Sequence, residues 1–86
     1  MVDGRVQGVG FRMFVLDLAR QYDLTGWVRN TYAGQVEVLA EGPRTVLELL
    51  LEDLNRGPRG SWVESIRQDW QAATGEYKSF EVVRTI

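Results

Sequence analysis

Trp27-Val28-Arg29-Asn30, Thr31-Tyr32-Ala33-Gly34 and Gln35-Val36-Glu37-Val38-Leu39-Ala40-Glu41 follow one another before the midpoint of the chain. The first group reads as a strand, the second as a turn, and the third alternates with Val36, Val38 and Ala40 on one face. Together they predict a β-hairpin. On either side the apolar period changes. Upstream, Phe11, Phe14, Val15, Leu18, Ala19 and Tyr22 recur at helical spacing between Phe11 and Leu24. Arg12, Asp17, Arg20 and Gln21 are expected to point mostly to water. Asp23-Leu24-Thr25-Gly26 ends this helix, with Gly26 as its terminator or turn residue. Downstream, Gly42-Pro43 opens a second helix with proline at the first position. Val46, Leu47, Leu50, Leu51 and Leu54 form its apolar stripe, and Asn55-Arg56-Gly57-Pro58 stops it.

Further out, strands are expected from Val2 to Gln7, from about Trp62 to Trp70, and from Phe80 to Arg84. The resulting order is strand, helix, strand, strand, helix, strand, with one more strand at the end. Two helices with one apolar face each cover one side of an antiparallel sheet. This is an α+β sandwich, the ferredoxin-like split arrangement, with an extra C-terminal strand. A chain of 86 residues, 44 % of them hydrophobic, is read as a single domain over residues 1–86 with one two-layer core. Gln68, between Ile66 and Trp70, points inward if the alternation continues and then needs a buried partner.

Composition removes several classes of chemistry. Cysteine and histidine are both absent. Thiolate catalysis, imidazole acid–base catalysis and metal sites built from sulfur and nitrogen are therefore excluded. A net charge of −2 argues against a general nucleic-acid partner, whose binding depends on neutralising many phosphates. No apolar run is long enough to span a membrane, and no secretion signal is seen, so a cytoplasmic location is expected by default.

Gly4-Arg5-Val6-Gln7-Gly8-Val9-Gly10-Phe11-Arg12 leads from the first strand into the first helix. Glycines allow close backbone approach and positive φ, and main-chain N–H groups at a helix N-terminus cradle anions. Arg12, in the first turn, adds a charge-assisted contact. The lysine and hydroxyl residue of a Walker loop are missing, as is the dinucleotide spacing. A tight strand-to-helix turn would use the same glycines. Asn30 is the second candidate. At a strand end it reads either as a turn residue bonded to its own backbone or as an amide that orients a water. If the first two strands are close neighbours, Asn30 and Arg12 face one pocket.

The nine residues from Gly4 to Arg12, followed by Gly26-Trp27-Val28-Arg29-Asn30-Thr31, resemble the signature pair of the acylphosphatase family. The similarity continues through Glu41-Gly42-Pro43, Arg56-Gly57-Pro58, Thr74-Gly75-Glu76-Tyr77 and Phe80-Glu81-Val82, in order along nearly the whole chain. It implies hydrolysis of the carboxyl–phosphate anhydride of small-molecule acyl phosphates, without metal or other cofactor. It also implies that the backbone amides of Gln7, Gly8, Val9, Gly10 and Phe11 hold the phosphoryl oxygens together with the Arg12 guanidinium. Asn30 would position the attacking water. Two other readings stand beside it: a non-enzymatic ferredoxin-like anion-binding module, and a carbamoyl-phosphate-handling module like that of hydrogenase-maturation proteins.

Neither nucleic acid nor membrane is expected as a partner. Only Met1-Val2-Asp3 precede Gly4, fewer than the family usually has, so a strand-exchanged dimer is the alternative to the expected monomer. Glu48, Glu52 and Asp53 are read as a solvated helix face rather than a metal site. Trp27, Trp62, Trp70, Tyr32 and Tyr77 are read as packing residues rather than base-stacking platforms. Arg5 and Arg29 flank the proposed site and are read as strand-surface charges.

Overall fold

The hairpin forms as the alternation requires, and the rest of the molecule is organised around it. The computed structural model describes residues 1–5, 10–60 and 62–86. Strand β2 (Thr25–Asn30) pairs antiparallel with β3 (Val36–Glu41), from Thr25 opposite Glu41 to Asn30 opposite Val36. The turn between them is closed by the Thr31 N–H on the Gln35 carbonyl at 2.9 Å and the Gly34 N–H on the Thr31 carbonyl at 3.1 Å. The first strand, β1 (Val2–Arg5), pairs with β3 through Val2 and Val36. A fourth, β4 (Trp62–Ile66), pairs with β1, and β5 (Phe80–Val82) pairs with β2. The sheet order is therefore β4-β1-β3-β2-β5. The extra strand joins parallel to β2 at the edge, so the sheet is mixed, although its other ladders are antiparallel.

Helix α1 (Phe11–Gln21) ends earlier than its periodicity suggests. The cause is a Schellman closure centred on Asp23, whose φ is 56°. The Leu24 N–H reaches back to the Ala19 carbonyl at 2.8 Å and the Asp23 N–H to Arg20 at 3.2 Å. The stop thus falls on an aspartate, not on Gly26, which lies inside β2. In α2 (Arg44–Arg56) Pro43 is the N-cap rather than the first helical residue. Its carbonyl accepts from both Val46 and Leu47 at 3.0 Å.

The buried residues form one cluster that includes Val2, Phe11, Val15, Ala19, Val28, Val36 and Phe80, with Leu50 and Leu54 contributed by α2. Leu16, outside the expected stripe, also belongs to it at 7 % exposure. Helix α1 packs over β2, β3 and β5, while α2 packs over β4. The two helices are tied by the Tyr22 hydroxyl, which donates to the Asp53 carboxylate. That bond holds the Tyr22 hydroxyl above its ordinary pKa. Asp53 in turn accepts from Arg56 at 2.7 Å.

Gln68 is exposed rather than inward. Strand β4 stops at Ile66, where β1 begins opposite it at Val2. Past the paired Met1 and Arg67 backbones, the following residues through Trp70 are not in a strand, so alternation no longer decides which way they point. The last strand likewise ends at Val82, short of Arg84.

Candidate phosphate site

The three glycines of the 4–12 stretch do not share one duty. Gly4 sits in β1 at a shift in the β1–β4 register. Its φ is 130°, and a Cβ there would lie 1.9 Å from the Trp62 carbonyl oxygen. Close approach of β4 therefore requires this glycine. Gly10 caps α1 in the left-handed region, with φ 76° and ψ 20°. A Cβ at Gly10 would meet nothing within 4 Å, so here the demand is conformational. Three of the expected phosphate-holding residues, Gln7, Gly8 and Val9, lie outside the described residues.

From Gly10 the chain enters a helix whose first turn has no side-chain cap and no acidic residue. The first N–H groups of such a helix have no partner within the helix, and they lie at the positive end of its dipole. Arg12 stands in this turn. A cation at a helix N-terminus opposes the dipole by about 0.3–1 kcal/mol, so the placement favours an anion between them.

Arg12 is half-buried, not directed to open water. It precedes Val15, Leu16 and Ala19 by three, four and seven positions and so stands at the head of the buried stripe of α1. Helical side chains lean toward the N-terminus, so the guanidinium belongs to the start of the helix. Among the described residues it has no ion-pair partner.

Asn30 ends the corresponding row on the sheet. Gly26 and Val28 are buried under α1, and the two-residue period puts Asn30 on their face. Its Oδ1 is buried and, among the described residues, has no hydrogen-bond partner. Leaving such an acceptor unsatisfied costs about 1–3 kcal/mol. Strand β1 is not the neighbour of β2: β3 lies between them, and Val36 pairs with both Val2 and Asn30. What brings Asn30 and Arg12 to one end is α1. The Arg20 guanidinium donates to the Phe80 carbonyl at 3.4 Å, and Phe80 pairs with Gly26. From that level the helix rises about 12 Å back to Arg12, and the strand rises about 13 Å to Asn30.

Other candidates are absorbed by structure. Arg29 lies opposite Glu37, donates to it from Nε at 2.7 Å and stacks 4.4 Å from the Trp27 ring centroid. Trp70 carries Arg44 in the same way at 4.2 Å. Arg44 also pairs with Glu48 at 3.3 Å, and among the described residues no group of acidic side chains is arranged to hold a metal ion. No described helix is long and apolar enough to cross a membrane. A cavity of about 810 Å³, lined by Val38, Leu47, Leu50, Leu54, Ile66 and Trp70 among others, includes neither Arg12 nor Asn30.

Neither periodicity nor motif spacing indicates that Glu41 meets Thr74 and Gly75. Glu41 accepts the Thr74 N–H at 2.8 Å, the Thr74 hydroxyl at 2.9 Å and the Gly75 N–H at 3.1 Å. These bonds, the Thr74 N–H foremost, hold the Glu41 carboxyl below its usual range. A depressed pKa stabilises the fold above the ordinary carboxylate range and ceases to do so as pH falls through the folded-state value. Glu41→Gln is expected to lower Tm at neutral pH, and the difference from wild type should vanish on acidification. Thermal unfolding of both proteins across a pH series checks this.

The acylphosphatase family model matches residues 1–82. The acylphosphatase of Salinibacter ruber is 48 % identical over 83 residues, which are 96 % of this chain and 87 % of that protein. The crystal structure of acylphosphatase from Bacillus subtilis matches with a TM-score of 0.89 at 43 % identity, covering 95 % of this chain and 91 % of that one. Full-length HypF, solved in a phosphate- and nucleotide-bound form, matches with a TM-score of 0.85 at 32 % identity. There 98 % of this chain covers 11 % of the other.

Proposed function

Because this chain belongs to the acylphosphatase family and hydrolyses acyl phosphates, we propose that the loop from Gln7 to Phe11 and Arg12 hold the phosphoryl group while Asn30 positions the attacking water. The observation that carries this reading is the buried Oδ1 of Asn30, which has no hydrogen-bond partner among the described residues, on the sheet face beneath a helix N-terminus without a side-chain cap. A buried acceptor is retained at a cost when its partner arrives with the substrate.

In this reading the main-chain N–H groups and the guanidinium neutralise the phosphoryl oxygens. The Asn30 side-chain Oδ1 accepts one water hydrogen and turns the water oxygen toward phosphorus, in line with the bond to be broken. The oxygen bonds to phosphorus, and the P–O bond to the acyl group breaks. Its electron pair departs on a carboxylate, and the water proton passes to a phosphoryl oxygen of the substrate. The leaving carboxylate has a conjugate acid of pKa about 4, so no general acid is required at neutral pH. Positioning and charge stabilisation carry most of phosphoryl transfer, which suits a chain without histidine. The reading extends to a monomer acting on a diffusible substrate, without nucleic acid.

Titration of isotopically labelled protein with inorganic phosphate tests the cradle. The largest amide shifts are expected from Gln7 to Met13 and at the Asn30 side chain. Shifts centred instead on Val38, Leu50 and Ile66 would move the anion to the cavity and overturn the assignment.

A further inference from the structure

We propose that the main chain of Ile86 is a positioning element for Asn30, an inference that rests on the water-orienting role given to Asn30 above. The parallel ladder of β5 on β2 ends early, with Val28 opposite Val82. The chain nevertheless continues along β2. The Val83 N–H donates to the Val28 carbonyl at 2.9 Å, the Ile86 N–H to the Asn30 carbonyl at 3.3 Å, and the Tyr32 N–H to the Ile86 main-chain oxygen at 2.8 Å. Ile86 thus clasps the backbone on both sides of Thr31. On its other edge Asn30 is held by Val36 of β3.

The clasp falls where β2 would otherwise fray, at its last residue before a turn. A side-chain amide that orients a water must be held within about 0.5 Å and 10–20° of its productive geometry. With β3 alone on one edge, Asn30 shares the freedom of the turn that follows. Ile86 is 55 % exposed as a residue, so the main-chain bonds, not side-chain packing, do the holding. Neither bond touches Gly10 or Arg12, so binding of the phosphoryl group is independent of it.

Deletion of Thr85 and Ile86 is expected to lower kcat for an acyl phosphate such as benzoyl phosphate by about tenfold. KM and inhibition by inorganic phosphate should stay within about twofold. Ile86→Ala, which keeps both main-chain bonds, should match wild type. Ile86→Pro, which removes the donor and fixes φ while keeping full chain length and the main-chain oxygen, should fall between the two and remain folded by circular dichroism. In an Asn30→Ala background the deletion should cost little more, because the two changes act through one group. An unchanged kcat in the deletion, or an equal loss with and without Asn30, would overturn the inference while leaving the role of Asn30 intact. Full activity of Asn30→Ala alone would instead remove the reading on which the inference rests.

Discussion

Arg12→Ala is expected to reduce kcat/KM for acyl phosphates by about 10²–10³, the cost of losing one preorganised charge-stabilising donor. The loss should appear in binding as well as turnover. Arg12 has no carboxylate partner among the described residues, so its charge is uncommitted until an anion arrives. Inhibition by inorganic phosphate should therefore weaken in parallel. Folding stability should move the other way. The substitution removes a cation from the positive end of α1, relieving about 0.3–1 kcal/mol, and alanine is the better helix former. An inactive protein with equal or higher Tm is the expected result. Arg12→Lys should restore part of the binding and little of the rate, because a point charge does not reproduce the planar fork. Unweakened phosphate binding by Arg12→Ala would refute the assignment.

Asn30→Ala separates the two steps. Turnover should fall by about 10²-fold, the scale of a misplaced reactant, while inorganic phosphate inhibits as in wild type. The variant also loses the buried Oδ1, unsatisfied among the described residues, whose desolvation opposes folding by about 1–3 kcal/mol. Urea unfolding should show stability unchanged or raised. A residue that served only the turn would give the reverse pattern, with lower stability and preserved kcat. Asn30→Asp keeps the acceptor but adds a negative charge beside the phosphoryl group, so its rate should stay low.

Much of the framework was legible because it depends on period. The alternation of Val36, Val38 and Ala40 and the stripe from Val46 to Leu54 specify a strand and a helix whatever their neighbours are. The stop of α1 was not legible: Asp23 adopts a positive φ that local composition assigns more readily to a glycine. Arg12 was misplaced toward water because it is charged, although its spacing to Val15, Leu16 and Ala19 already put it on the buried stripe. Its presence in a first turn without acidic residues was a further signal, since it contradicts the usual charge preference of helix ends. Asn30 could be placed on the inner face by counting two from Val28. Its missing partner could not, because satisfaction of an acceptor depends on the whole surround. The Ile86 clasp uses backbone groups on both sides, which every residue carries, and the Glu41 carboxylate meets Thr74 and Gly75 across more than thirty residues, so no local pattern announces either. Direction along the β2 edge was likewise hidden: Phe80–Val82 reads the same whether it joins parallel or antiparallel.

The position of β5 also sets an order in time. During synthesis the glycine loop, Arg12 and Asn30 leave the ribosome well before Phe80 and Ile86, and small domains fold as units once their partners are present. A nascent chain that ends before Phe80 therefore carries every residue assigned to the chemistry yet lacks the edge of the sheet that fixes one of them. Because Phe80 also belongs to the one buried cluster beneath α1, the site is assembled only after β5 has docked.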